Sequence, residues 1–268
     1  MSFRRSARRS ALRIAAAAAA VSAIALPAST SASASTPASA PVSFSAESAT
    51  GAAGAPAAAA VQAGFIVSKA QFGRMFPSKN QFYTYEALVG AMSAYPAFAH
   101  TGDDALKRRE AAAFLANVSH ETGGLRYIVE QNTANYPTYC DTSRPYGCPA
   151  GRAAYYGRGP LQLSWNFNYK AAGDALHIDL LHNPGLVQTD PQVAWKTALW
   201  YWNTQSGPGS MTPHQAMVNG AGFGQTIRSI NGALECNGRN PAQMQDRVNL
   251  YQRFAQILGT SPGANLTC

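Results

Sequence analysis

The chain has 268 residues and a formal net charge of +8, although only 13% of its residues are charged. Five of the 21 basic residues are arginines that precede residue 35, where no acidic residue occurs. The remaining 16 basic and 13 acidic residues give a net charge of only +3. A polybasic surface for nucleic acid is therefore not indicated.

Residues 1–34 predict a secretory signal peptide. Five arginines precede an apolar run of 13 residues, Ile14 to Leu26. That run is too short for a membrane-spanning helix, which needs about 20 apolar residues, and no later stretch is apolar enough to span a membrane. Cleavage near Ala28 or Ala34 fits the small-residue rule, and the pair Arg8-Arg9 also fits twin-arginine export. We therefore expect a secreted, extracellular protein, with the export route and cleavage position open.

The rest of the chain divides at about residue 63. Residues 35–63 are rich in Ala, Ser, Pro and Gly and carry one charge, Glu47. Such a segment buries too little apolar area to offset its ordering entropy, so it predicts a disordered leader or linker. Residues 64–268 have a globular composition, and about 205 residues suit one domain with a sizeable core.

Helix signals recur through this domain, which predicts a mainly α fold. Thr84 suits an N-cap, and the apolar pattern of residues 104–120 ends at the pair Gly123-Gly124. Asp190-Pro191 and Asn240-Pro241 are typical of a helix start, with Pro at the first helical position. Two apolar faces follow these starts: Trp195, Leu199 and Trp202, and then Met244, Val248, Tyr251, Ala255 and Leu258. Residues 125–165 predict loops with at most short strands, where substrate clefts are often built.

A glutamate ends the Ala-rich helix, in the sequence Ser119-His120-Glu121-Thr122-Gly123-Gly124. The helix dipole disfavours a carboxylate at this end, which makes an ordinary solvated charge less probable. Glu130 follows nine residues later and by itself would be an ordinary loop carboxylate. Two carboxylates in unlike environments are the minimal equipment for cleaving a glycosidic bond. A His-Glu-x-x-His zinc motif is excluded, because the second histidine is missing.

A second dense stretch, residues 155–169, mixes hydrogen-bonding groups with flat apolar faces. Gln162, Ser164, Trp165, Asn168 and Tyr169 suit a sugar, which presents hydroxyls at its edge and C–H groups on its face. The alternative is a helix start with core aromatics, which would account for Phe167.

Charged and histidine side chains complete the candidates. Arg247 neighbours Met244 and Val248 and is expected to face inward, where an arginine needs a carboxylate partner. Glu235 and Glu121 are the candidate partners, and a purely structural ion pair is the alternative reading. The remaining histidines are interpreted as surface or cap residues: His100, His177, His182 and His214.

The chain contains four cysteines, an even number in an exported protein, which predicts two disulfides. Three pairings are conceivable. We favour Cys140–Cys148, a short loop clip, and Cys236–Cys268, which would hold the C-terminus. Zinc binding is the competing interpretation, but the C-x-x-C spacing is missing.

Three motifs together resemble glycoside hydrolase family 19 chitinases, in the compact form of secreted actinobacterial enzymes. They are residues 112–124, AAFLANVSHETGG; residues 156–164, YGRGPLQLS; and residues 230–236, INGALEC. The resemblance covers residues 64–268. It implies a mainly α, lysozyme-like domain with a deep cleft, and endo-hydrolysis of β-1,4-linked N-acetylglucosamine polymers with inversion.

The resemblance also implies roles for individual residues. Glu121 corresponds to the general acid, Glu130 to the general base, and Ser164 to the hydroxyl that holds the attacking water. Glu235 corresponds to the acidic partner of Arg247. Positions that line the cleft or belong to its charge network are His120, Gln162, Asn168, Tyr169, Lys196, Asn231 and Arg247, whereas Trp165 is a candidate sugar contact only from its own stretch of sequence. The expected partners are chitin and N-acetylglucosamine oligosaccharides, bound by a monomer without cofactor or metal and without nucleic-acid or membrane partners.

The chain departs from the plant-type pattern. Extra cleft loops and a third disulfide are missing, and Trp165 stands where plant members usually have His, so the number of sugar subsites stays open. Many relatives carry an N-terminal chitin-binding module, whereas only the leader precedes this domain, which predicts weaker action on crystalline chitin. Two alternatives remain: a lysozyme-like muramidase acting on peptidoglycan, and a catalytically inactive chitin-binding protein.

Overall fold

The computed structural model describes residues 64–268, so the predicted signal peptide (1–34) and leader (35–63) lie outside the described residues. This part of the chain forms nine α-helices: α1 Lys69–Met75, α2 Tyr85–Ala91, α3 Asp104–Thr122, α4 Asn166–Leu176, α5 Leu186–Thr189, α6 Pro191–Thr204, α7 Pro213–Val218, α8 Phe223–Glu235 and α9 Pro241–Ile257. Two 3-10 segments, Met92–Ala94 and Thr133–Tyr139, accompany them. The mainly α prediction is confirmed. Of these helices, none has the length and hydrophobicity of a membrane span.

The predicted helix starts are confirmed by their caps. The Thr84 hydroxyl accepts a hydrogen bond from the backbone N of Ala87 at 3.0 Å. Asp190 accepts from the backbone N of Gln192 at 2.8 Å and starts α6. Asn240 accepts from the backbone N of Gln243 and starts α9. Local side-chain caps of this kind satisfy backbone donors that the helix itself leaves free, which is why sequence alone places them well.

The main core surrounds α3, whose residues Glu110–Ser119 are all buried. Phe114 on this helix contacts Trp202 of α6 edge-to-face, with ring centroids 5.3 Å apart. The long helix α9 packs along α3 and buries Val248 and Tyr251. A helix that is buried all round along half of its length is held rigidly by its neighbours.

A second, smaller core lies beneath the loop region. It contains Tyr139, Tyr155 and Leu163 from the loops, together with Tyr169 of α4 and Trp200 of α6. Between residues 64 and 268, β-type pairing is limited to two isolated bridges that meet at one residue, 129–158 and 158–163. The prediction of loops with at most short strands over residues 125–165 is thus confirmed for the strands, but it missed the 3-10 segment Thr133–Tyr139.

Both favoured disulfides are present. Cys140 is bonded to Cys148, with Cα atoms 6.0 Å apart. Cys236 is bonded to Cys268, with Cα atoms 5.0 Å apart. The first bond closes the end of the 3-10 segment Thr133–Tyr139, and the second ties the C-terminus to the end of α8.

Two predictions about individual side chains were wrong. Phe167 is only half-buried, since α4 turns Asn166 and Tyr169 inward instead, at helical spacing, and Phe167 lies on the flank against Trp165 at 5.4 Å. His214 is neither a free surface residue nor a cap. Its Nδ1 lies 2.6 Å from Oε1 of the fully buried Glu110, because the start of α7 packs against α3 there.

Candidate active site

Glu121 lies in the last turn of α3, where the buried helix reaches the surface. Gly123 ends the helix in the left-handed conformation, with φ of 60°, which glycine adopts without strain. The Glu121 side chain is 19% exposed, whereas the preceding turns are buried. The predicted helix end is confirmed, and it leaves one carboxyl accessible at the end of a rigid element.

Arg247 of α9 lies against this carboxyl and is 1% exposed. Its Nη2 donates to Oε1 of Glu121 and to Oε1 of Glu235 at 2.8 Å, and its Nε donates to Oε2 of Glu235 at 2.7 Å. Its Nη1 donates to the Asn117 side chain at 3.0 Å. Both predicted partners of Arg247 are thus confirmed. Burial alone would lower the pKa of Arg247, but the charges of Glu121 and Glu235 raise it instead.

Glu235 closes the other side of this group, at the end of α8. Asn231 donates to its Oε1 at 2.6 Å, from a kink where the φ of Asn231 is −143°. Burial opposes the charged form of Glu235, but the hydrogen bonds and charge of Arg247 and the amide of Asn231 hold its pKa below the usual value. We call Asn117, Glu121, Asn231, Glu235 and Arg247 the ion-pair network.

His120 lies beside the network, with its side chain 12% exposed. Its Nδ1 is 2.7 Å from Oδ2 of Asp246, on the exposed side of α9. The hydrogen bond from His120 holds the pKa of Asp246 below its usual value. Sequence reasoning missed Asp246, because an exposed aspartate one residue before Arg247 has no distinguishing pattern.

Glu130 lies outside the helices, and within residues 64–268 its carboxylate accepts hydrogen bonds from neutral groups only. Its Oε1 accepts hydrogen bonds from the Asn135 amide at 2.8 Å and from the Tyr139 hydroxyl at 3.0 Å. Its Oε2 is buried, and no donor from the described part of the chain reaches it. The backbone N of Glu130 donates to the carbonyl of Gly157 at 2.8 Å. Oε1 therefore accepts two hydrogen bonds, whereas Oε2 accepts none from the described residues.

Ser164 belongs to a tight turn beside Glu130. Its hydroxyl donates to the Gln162 carbonyl at 2.9 Å, and the Gln162 amide donates to the carbonyl of Gly159 at 2.9 Å. A Cβ on Gly157 would lie 3.3 Å from the Ser164 hydroxyl and 3.0 Å from the Gln162 side chain. Gly157 accepts the hydrogen bond from the Glu130 backbone, and because it has no side chain it can also lie close to Ser164.

The other predicted contact residues differ in their location and exposure. Asn168 donates to the Ser164 carbonyl at 3.0 Å, and Trp165 lies edge-to-face on Tyr139 at 5.7 Å, so both belong to the Glu130 side. Lys196 is half-buried on α6. The prediction that Tyr169 contacts the substrate directly is wrong. Tyr169 is fully buried, and its hydroxyl donates to the Tyr156 carbonyl.

Arg247 is also too deeply buried for direct substrate contact and serves the network. Sequence reasoning missed the donors to Glu130, Asn135 and Tyr139, which lie in the loop sequence Asn-Tyr-Pro-Thr-Tyr between Glu130 and the Cys140 disulfide. Neutral donors in a loop have no characteristic spacing. The closeness of that disulfide, which the sequence did suggest, was the available signal.

Comparisons with known proteins agree with this geometry. Residues 66–268 match the family model for chitinase class I, glycoside hydrolase family 19. The crystal structure of chitinase C from Streptomyces griseus HUT6037 is 73% identical, with a TM-score of 0.76 over 76% of this chain and 98% of that chain. The class IV chitinase of Zea mays is 46% identical, with a TM-score of 0.67 over 76% of this chain and 98% of that chain.

A curated plant relative gives the same result. Endochitinase B of Zea mays is 50% identical over 202 residues, which are 75% of this chain and 67% of the relative. The family-model match, residues 66–268, contains both candidate carboxylates, the ion-pair network and both disulfides. The chain belongs to the class I chitinase family, glycoside hydrolase family 19.

Proposed function

We propose that this protein is an endo-acting chitinase that hydrolyses β-1,4-linked N-acetylglucosamine polymers with inversion of the anomeric carbon. The carboxyl group of Glu121 protonates the glycosidic oxygen, so that the C1–O bond breaks and the leaving sugar departs as an alcohol. The Glu130 carboxylate takes a proton from a water molecule, whose oxygen attacks C1 from the opposite face. Exchange of these protons with solvent restores both residues.

The observation that carries this proposal is the contrast between the two carboxyl groups. Glu121 lies at an accessible helix end, whereas Glu130 is 8% exposed and keeps one oxygen without a donor. A buried carboxylate oxygen that accepts no hydrogen bond from residues 64–268 needs a partner, and a bound water molecule would supply it. Ser164, on the adjoining turn, is the hydroxyl assigned to hold that water.

Several polar side chains around the two carboxyls are assigned to the sugars. Since an inverting enzyme leaves room for water, its carboxyl groups are about 6.5–9.5 Å apart. The substrate lies between the last turn of α3, which contains Glu121, and the turn that contains Ser164. The residues assigned to its hydroxyl and acetamido groups are His120, Gln162, Trp165, Asn168, Lys196 and Asn231.

Two amide variants test these roles on N-acetylglucosamine oligomers and colloidal chitin. Glu121→Gln keeps the shape of the side chain but has no proton to donate, and we expect kcat to fall on the order of 10⁴-fold. In Glu130→Gln, kcat should fall on the order of 10²-fold or more, and a small residual rate should remain. Equal, mild losses would contradict both roles. Faster hydrolysis of bacterial walls than of chitin would favour a muramidase instead.

Export is a further part of the proposal. The arginine-rich, apolar start of the chain and the two disulfides fit a protein that folds in an oxidising compartment. The intact mass of the protein recovered from culture medium tests this, and cleavage near residue 28 or 34 is expected. Size-exclusion chromatography with light scattering tests the expectation of a monomer.

A further inference from the structure

Three side chains form a continuous stack next to the candidate base. The guanidinium carbon of Arg158 lies 3.5 Å from the centroid of the Tyr156 ring. That ring lies 3.6 Å from the Tyr136 ring, with 10° between their planes. The Tyr136 hydroxyl donates to the backbone carbonyl of Glu130 at 3.0 Å. We call Arg158, Tyr156 and Tyr136 the Arg158 stack, and its far end contacts Glu130.

Arg158 is buried, with 4% of its surface exposed. Its Nε donates to the Gln188 side chain at 2.7 Å, and its Nη1 donates to the Ala154 carbonyl at 2.7 Å and the Tyr169 hydroxyl at 2.8 Å. Among the described residues, no carboxylate accepts from it. A buried guanidinium normally needs a negative partner. The face of the Tyr156 ring supplies part of that compensation, since its quadrupole attracts a cation.

The other end of the stack, Tyr136, lies in the same segment as the two donors to Glu130. Tyr136 belongs to the 3-10 segment Thr133–Tyr139, which also contains Asn135 and Tyr139. These two residues donate to Oε1 of Glu130. Burial and the charge of Glu130 raise the pKa of Tyr139, so its hydroxyl keeps its proton and stays a donor. Holding Tyr136 against Tyr156 therefore holds both donors in place.

The backbone of Arg158 connects the base to the water-holding turn. Arg158 pairs with Val129, which precedes Glu130, and with Leu163, which precedes Ser164. Its N donates to the Leu163 carbonyl at 3.1 Å and its carbonyl accepts from Leu163 at 2.8 Å. A shift of the Arg158 backbone would therefore displace the residues next to both the base and the water-holding hydroxyl.

We propose that the Arg158 stack positions the general base. It holds the 3-10 segment so that Asn135 and Tyr139 occupy Oε1 of Glu130, and Oε2 alone is left to accept the proton from water. Arg158, Tyr156 and Tyr136 are positioning residues, since they act through Glu130. This inference rests on the assignment of Glu130 as the base under the proposed function.

Substitutions at Tyr156 separate stacking from hydrogen bonding. Tyr156→Leu removes the ring, and we expect kcat to fall about 10-fold to 100-fold with KM within about twofold, because a misplaced base loses rate and not substrate affinity. Tyr156→Phe keeps the stack and removes only the hydrogen bond from the Tyr156 hydroxyl to Gln188, so this variant should retain most of the wild-type kcat. The matched control is Tyr251→Leu, which breaks the parallel contact with Phe223 at 4.3 Å in the main core. It should lower Tm while the folded fraction keeps its kcat.

A double-variant cycle distinguishes positioning from general damage. In a Glu130→Gln background, Tyr156→Leu should lower the residual rate by no more than about twofold, because no base remains to be positioned. The same loss in both backgrounds would overturn the inference. If Tyr156→Leu does not fold, the half-buried Tyr136 carries the test, and Tyr136→Leu with wild-type kcat would overturn the inference equally.

The two proposals fail in different ways. If Glu130→Gln keeps the wild-type kcat, the assignment of the base is wrong and the inference falls with it. If Glu130→Gln loses activity while both Tyr156→Leu and Tyr136→Leu keep theirs, only the role of the stack is wrong. Unfolding measured by circular dichroism on every variant ensures that rates are compared per folded molecule.

Discussion

The two candidate carboxylates are held in opposite ways. Glu121 lies in the last turn of a buried helix and shares the cation Arg247 with Glu235. Glu130 lies in a loop and, in the part of the chain that the structure describes, its side chain accepts only from neutral groups, the Asn135 amide and the Tyr139 hydroxyl. The acid side is thus built into the main core, whereas the base side rests on the second core and on the Arg158 stack.

This difference separates stability from catalysis. Removing a buried cation that two carboxylates share destabilises the fold, because it leaves buried charges unpaired. Neutral donors to one carboxylate oxygen contribute less to folding but decide where the other oxygen points. Substitutions on the acid side should therefore reduce stability and activity together, and those on the base side should reduce mainly activity.

Removing the shared cation should have the largest effect. Arg247→Met leaves Glu121, Glu235 and Asn117 without their common donor, and the free energy of unfolding should fall by about 3–5 kcal/mol. Urea denaturation measures this. The control is Arg253→Met on the exposed side of the same helix, which should change stability by less than about 0.5 kcal/mol. Similar effects of the two variants would contradict the network's contribution to folding.

The next effect concerns Glu235 and depends on pH. Because its pKa in the folded protein is below the ordinary value of 4.5, Glu235 contributes stability above that pH and loses it as the pH falls through the lower, folded value. Glu235→Gln should cost about 1.5–3 kcal/mol near neutral pH. The difference from wild type should shrink below pH 4.5. A difference that stays constant with pH would show that the charge of Glu235 is unimportant.

The acid side was also the part that the sequence predicted well. Gly123 ends the helix by local backbone preference, and an arginine beside Val248 must find a carboxylate, so both inferences follow from nearby residues. The donors to Glu130 were not predicted, because their position depends on how the loop packs. The burial of Tyr169 was not predicted for the same reason. It depends on how Arg158, a loop residue, packs against the Tyr169 ring and hydroxyl on α4.

On the base side, we expect a loss of rate with little loss of stability. Asn135→Ala removes one donor from Oε1 of Glu130, and kcat should fall about 10-fold while stability changes by less than about 1.5 kcal/mol. Asn132→Ala is the matched control, since Asn132 is exposed and makes no cap bond at the start of the same segment. Wild-type kcat in Asn135→Ala would contradict the difference between the two sides.

The smallest effect is expected at the edge of the network. The Asp246 side chain is 59% exposed, so its contact with His120 is screened by solvent. Asp246→Asn should cost less than about 1 kcal/mol of stability, and the cost should shrink in about 1 M salt. Stability curves at low and high salt measure it. A cost as large as that of Arg247→Met would place Asp246 inside the network rather than at its edge.

The most direct test of the acid–base account is the anomer of the first product. Proton NMR during the initial hydrolysis of an N-acetylglucosamine oligomer reports it before mutarotation equalises the anomers. Attack by a water molecule that Glu130 activates, on the face opposite Glu121, predicts that the newly formed reducing end is the α-anomer. An initial β-anomer would show retention and would contradict the roles of both carboxylates.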